Sequence, residues 1–100
     1  MEKYKEELKT LYDFRKSFYK KAFVETQKNT YEMVKCLYSY GTLVAKYILH
    51  FDTLKEQFIY LGEYSRTTTR HQREFFRQQG LTTKEIIKLF NEDELIKNYE

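Results

Sequence analysis

Arginine recurs at Arg66, Arg70, Arg73 and Arg77, and steps of three or four residues line side chains along one face of a helix. At about 100° of rotation per residue, the four guanidinium groups fall within about 60° of one another, while Thr68, His71 and Phe75 fall on the far side. The stripe runs over about 16 Å, long enough to reach successive backbone phosphates or to cover an acidic surface. Only Glu74 offsets it, three residues before Arg77 and four after Arg70, so Arg66–Arg77 carries a formal +3, equal to the charge of the whole chain. That chemistry suits recognition of an anionic surface, with a plain solvated face as the alternative.

Chemistry that breaks bonds is not legible. His50, His71 and Cys36 share no zinc-ligand spacing, and neither a Walker loop nor a GxGxxG run is present. No nucleophile stands beside a base in sequence, and "NEDE" at Asn91–Glu94 reads as an acidic helix end. The expectation is a protein that is not an enzyme, with no cofactor and no metal. His71, on the inner side of the helix, reads as a hydrogen-bonded core histidine, and Cys36 as a small buried hydrophobe.

The arginine helix has marked ends. Ser65 or Thr67 can accept a hydrogen bond from the first-turn N–H groups, and Gly80 supplies the left-handed residue that closes the last turn. Before it, apolar residues from Tyr4 to Phe23 cover about half of a helical wheel, which predicts a long amphipathic helix over Glu2–Phe23. After "TQKNT", alternation and β-branched residues predict antiparallel strands in Tyr31–Phe51, turning near Ser39–Thr42 where Gly41 gives the backbone freedom, with a helix over Met33–Leu49 as the competing reading. Phe58–Tyr64 makes a third strand. Thr82 with Glu85 is a capping box, with Leu81 and Ile86 placed as a hydrophobic staple, so a helix starts there and ends near Asn91. "EDELIKNY" reads as a short tail helix packed by Leu95, Ile96 and Tyr99. The expected fold is α+β: an N-terminal helix, a three-stranded antiparallel sheet, the arginine-striped helix and a C-terminal helix or helices, in one domain spanning residues 1–100.

A chain of 100 residues with 41% hydrophobic and 18% aromatic residues belongs among folded proteins. It has no stretch apolar enough to span a membrane, and the acids in "MEKYKEELKTLYDF" argue against a secretory signal. One cysteine fits a reducing compartment, and a cytoplasmic location follows as the expectation. The ten tyrosines exceed what so small a core can hide with every hydroxyl satisfied, so some are expected at the surface.

"SYGTLVAKYI" followed by "YSRTTTRHQREFF" resembles small proteins of bacteriophages and other mobile elements of low-GC bacteria, which couple a Ser-Tyr-x-Thr-x-x-Ala hairpin to a Tyr-Ser-x-Thr-Thr-x-x-His helix start. The matching positions are Ser39, Tyr40, Thr42 and Ala45, then Tyr64, Ser65, Thr67, Thr68, Arg70, His71 and Phe75. The run Thr67–Thr69 holds one threonine more than the pattern, so the matching pair is open by one position. The resemblance implies an origin and a fold, and no activity.

Together these readings give an accessory protein that binds a host protein or ribonucleoprotein complex without catalysis, in the host bacterial cytoplasm and away from membranes. Inhibition of a defence complex such as a CRISPR nuclease is the contextual example. Arg66, Arg70, Arg73, Arg77, Tyr64 and Tyr40 are the expected binding residues, and Ser65, Thr67, Thr68, His71 and Phe75 the structural motif. The alternative is a nucleic-acid-binding accessory or regulatory protein that contacts phosphates through the same arginines. A homodimer is compatible with either, since the first helix's apolar face is wider than a three-stranded sheet can cover.

Overall fold

A computed structural model describes residues 2–98. Its strands are β1 (Glu2–Glu7), β2 (Ala22–Lys28), β3 (Glu32–Ser39), β4 (Thr42–His50) and β5 (Glu56–Tyr60). Two helices follow, α1 (Arg66–Gln78) and α2 (Thr83–Glu92), and then β6 (Glu94–Lys97). All six strands form one antiparallel sheet in the order β1-β2-β3-β4-β5-β6. The architecture is α+β, but the sheet has twice the expected number of strands.

The expected N-terminal helix is absent. Glu2–Glu7 instead lies against β2, from Glu2 opposite Lys28 to Glu7 opposite Phe23. Lys3 pairs with Glu25 at 3.7 Å, and Lys5 sits over the rings of Phe23 and Tyr38. These cross-strand contacts outweigh a helix propensity that is weak per residue. The charged β1 also blunts the sheet edge against pairing with another chain. Downstream, Tyr19 and Lys20 take left-handed backbone angles (φ 52° and 62°), which no continuous helix accommodates. The apolar residues that resembled one face divide between two roles: Leu8, Phe18 and Ala22 enter the core, whereas Leu11, Tyr12, Phe14 and Tyr19 stand in solvent. With no N-terminal helix, there is no over-wide helical face to be covered by a second copy.

Tyr40 and Gly41, both at positive φ (51° and 81°), make the two-residue turn between β3 and β4 where the sequence places it. The register shifts beside Leu37, leaving Val44 as an extra, buried residue. The third expected strand, Phe58–Tyr64, lies at Glu56–Tyr60 and ends earlier than predicted.

One sheet face carries Val24, Leu37, Ala45, Tyr47 and Phe58 into a core completed by Phe75 and Phe76 of α1 and by Ile86 and Leu89 of α2. Helix α1 begins at Ser65, whose hydroxyl accepts the Thr68 N–H at 3.2 Å, so Ser65 and not Thr67 is the cap. It closes with Leu81 N–H on Phe76 O and Gly80 N–H on Arg77 O, the Schellman pattern, with Gly80 at φ 96°. The Thr82–Glu85 capping box is present. The expected tail helix is a strand: Asp93 turns left-handed at φ 67°, and Leu95 then pairs opposite Phe58 and packs on the core. Tyr99, assigned to that helix from sequence, lies outside the described residues.

Candidate partner-binding face

The segment between β1 and β2, Leu8–Lys21, lies over the arginine side of α1, and a buried carboxylate holds it there. Glu74, 2% exposed, accepts through one oxygen the backbone N–H groups of Leu11 (3.1 Å), Tyr12 (2.8 Å) and Asp13 (2.8 Å). Its other oxygen accepts from Gln78, whose amide also reaches Lys9 O at 2.6 Å. Three consecutive N–H groups converging on one anion form a nest, and here the protein fills that nest itself. Spacing alone makes Glu74 the one charge that offsets the arginines; its hydrogen-bond partners are Gln78 and the backbone of a loop some sixty residues earlier in the chain.

The clamped loop then divides the arginine stripe. Arg70 donates to both Asp13 oxygens (3.2 and 3.1 Å), and its guanidinium carbon lies 4.4 Å from the centroid of Phe14. Burial works against the charge of Asp13. Hydrogen bonds from Arg70 and from the Arg15 N–H, together with both guanidinium charges, outweigh it and hold that carboxyl below its usual range. Arg77 lies over Tyr12 at 5.1 Å and donates to Thr83 at 2.7 Å. Arg66 and Arg73 are exposed, and among the described residues neither has a hydrogen-bond or ion-pair partner.

Between the two helices and this loop opens a cleft of about 740 Å³. One wall is Arg70, Arg73 and Arg77; the other is Ile86, Ile87 and Phe90; Tyr12 and Phe14 stand at the rim. Phe14 is 86% exposed although the loop that carries it is fixed. Of the residues expected to bind, Arg70, Arg73 and Arg77 meet at this cleft. Arg66, Tyr64 and Tyr40 lie outside its walls, all exposed. Sequence reasoning missed Tyr12, Asp13 and Phe14 because a helical reading spread them around a wheel. Ile87 and Phe90 were missed as well: the capping box places α2, but nothing in its sequence marks these residues as facing the arginines.

On the inner side of α1 the motif residues become a single polar tie. Ser39 Oγ lies 2.9 Å from Thr68 Oγ1 and 2.8 Å from His71 Nδ1, joining the β3–β4 hairpin to the helix. His71 is fully buried with its ring edge-on to Phe18, and burial pushes its pKa down to about 4, so the imidazole is neutral. A serine hydroxyl on a histidine nitrogen is a nucleophile-and-base geometry. Ser39 is 2% exposed and His71 0%, and this pair is enclosed. Thr67 takes no part in the tie. Phe75 is fully buried, as its place on the wheel predicts.

Among the described residues no group of three or more His, Cys, Asp or Glu side chains converges to hold a metal, and no helix is long and apolar enough to cross a membrane. No curated protein and no solved structure matches the chain. The family of unknown function DUF8033 matches residues 6–92. That span takes in the Glu74 clamp, the Ser39–His71 tie and both walls of the cleft, and the chain belongs to this family.

Proposed function

We propose that the chain binds a macromolecular partner without catalysis, through the face formed by the Leu8–Lys21 loop and α1. The observation that carries this reading is Phe14: a large apolar ring in solvent, on a backbone clamped by Glu74, beside a guanidinium locked by Asp13. Rigid aromatic and arginine anchors exposed together lose little entropy on association and are enriched at binding hot spots. Electrostatics point the same way. The loop and α1 hold nine cationic side chains against Asp13 and Glu74, a formal +7 in a chain of +3, which steers acidic partners toward this side.

The resemblance to mobile-element proteins supplies the setting: a host protein or ribonucleoprotein, such as a bacterial defence complex, in the cytoplasm of the host cell. Protein is the preferred partner over nucleic acid for two reasons. Arg70 is committed to Asp13, which shortens the row of free cations, and the rings of Tyr12 and Phe14 each have an arginine over one face, which leaves less surface for stacking bases.

Affinity capture from cells bearing the element, with and without nuclease, tests this with wild type, Phe14→Ala and Arg73→Glu. The expected catch survives nuclease and is lost with either substitution. A catch that disappears with nuclease, or that both variants retain, overturns the reading.

A further inference from the structure

The two cleft walls share a geometric property. Arg70, Arg73 and Arg77 recur at three- and four-residue steps along α1, and Ile87 and Phe90 stand three residues apart along α2, with the buried Ile86 beneath them and Thr83 tied to Arg77 at one end. Each helix thus presents one stripe at the helical period, cationic on one side and apolar on the other. A third helix laid between them would meet both stripes at their own repeat, the geometry of helix-in-groove recognition. Ile87 is 55% exposed and Arg73 has no partner among the described residues, so both walls are open to an occupant.

Resting on the proposed binding face, we infer that this cleft receives an acidic amphipathic helix of a partner protein. Its carboxylates, one turn apart, pair with Arg73 and with the guanidinium N–H groups of Arg77 that Thr83 does not take, and its apolar side chains pack on Ile87 and the half-buried Phe90. The charges select the class of ligand. Two backbone positions that could cradle a phosphate are already occupied by the protein's own carboxylates, Glu74 in the nest of residues 11–13 and Glu85 in the capping box of α2, and the Ser65 hydroxyl caps the start of α1. What remains for a ligand is side-chain guanidinium, which takes a carboxylate in a two-point contact, facing an aliphatic wall that suits leucine-like side chains better than bases.

The probe is a labelled synthetic peptide of about fourteen residues, long enough for partial helicity, with Glu at i and i+4 and Leu on the adjacent flank. Its controls are the same peptide with Lys for Glu and a single-stranded DNA of similar charge. Fluorescence anisotropy should show saturable binding of the acidic peptide only. Arg73→Glu and Ile87→Asp, both at exposed positions, should each weaken it about tenfold or more, and Arg73→Glu should gain affinity for the Lys peptide. Absence of acidic-peptide binding, an unchanged affinity in Ile87→Asp, or Arg73-dependent binding of the DNA overturns the inference. If the peptide fails while nuclease-resistant, Phe14-dependent capture persists, the occupant is wrong and the binding face stands. Peptide binding accompanied by an empty capture sinks the binding face as the route to a partner.

Discussion

The carboxylate of Glu74 on α1 accepts the backbone N–H of Tyr12 at 2.8 Å, inside the protein and across 62 residues of chain. With the Leu11 and Asp13 N–H groups on the same oxygen, this contact fixes the loop that shapes the candidate site. Removing the acceptor leaves three donors to find water or remain unpaired. Glu74→Ala should therefore cost about 2–4 kcal/mol in urea melts. It should also open the loop to trypsin at Arg15 and Lys16 while the folded fraction is still high. Unchanged stability together with unchanged cleavage would refute the clamp.

Asp13 and Arg70 test how much the second tether contributes. Both side chains are mostly covered (11% and 28% exposed) and the contact has two hydrogen bonds, so it lies above the surface-pair median. A double-mutant cycle with Asp13→Ala and Arg70→Ala should give a coupling on the order of 1 kcal/mol, reduced by salt. A coupling indistinguishable from zero at low salt would mean that the pair does not position Arg70.

His71 predicts a pH dependence in a defined window. An unfolded histidine takes up a proton near pH 6.5, whereas the buried ring does so only at about 4. Below pH 6.5 the unfolded chain binds the proton preferentially, so stability falls as pH drops from 6.5 to about 4, by up to about 3 kcal/mol. Asp13 and Glu85 are both held below the ordinary carboxylate range, and their contributions are lost only at more acid pH as they protonate in the folded chain. Urea melts between pH 7 and 4.5 should show the slope in wild type and not in His71→Asn. A flat wild-type profile would place a charged or solvated imidazole at this site.

Two phenylalanines at opposite extremes of burial should separate stability from binding. Phe75 is fully enclosed, and Phe75→Ala should cost about 3–5 kcal/mol. Phe14 is 86% exposed and touches chiefly Arg70, so Phe14→Ala should stay within about 1 kcal/mol of wild type. Equal effects in thermal melts would contradict the assigned orientation of α1 and its loop. Arg73→Glu belongs with Phe14→Ala as a surface change; Arg70→Glu does not, because it sets a carboxylate against Asp13.

Local signals read correctly wherever the chain obeys them alone. The Tyr40–Gly41 turn, the Ser65 cap with the Gly80 stop, and the Thr82–Glu85 box are each fixed by residues within a few positions of one another, and Phe75 and His71 turn inward as the helical period demands. The N-terminal quarter failed because its structure is set from elsewhere: β1 needs β2 and β3 beside it, and the loop needs Glu74. The same holds at the other end, where Leu95 becomes a strand residue only because Phe58 offers a free edge. Of the candidate site, the arginine wall was legible as a period, and of α2 only its start and its Ile86 staple position were. Their opposition across a cleft, and Phe14 at its rim, were not, since neither follows from spacing within one element.

The sheet's strand order also has a consequence in time. From β1 to β5 every strand pairs with its immediate successor across a short connection, the β1–β2 loop being the longest, so these contacts close small loops and form quickly. The bonds from Glu74 to residues 11–13 and from Gln78 to Lys9 close loops of more than sixty residues, far longer than those between neighbouring strands. Loop-closure entropy therefore puts the clamp, and with it the presentation of Phe14, at the end of folding and at the start of unfolding. A nascent or damaged chain would then carry its hairpins while Leu8–Lys21 hangs free of α1 and the cleft is unformed; on the proposed function, binding would report completed folding.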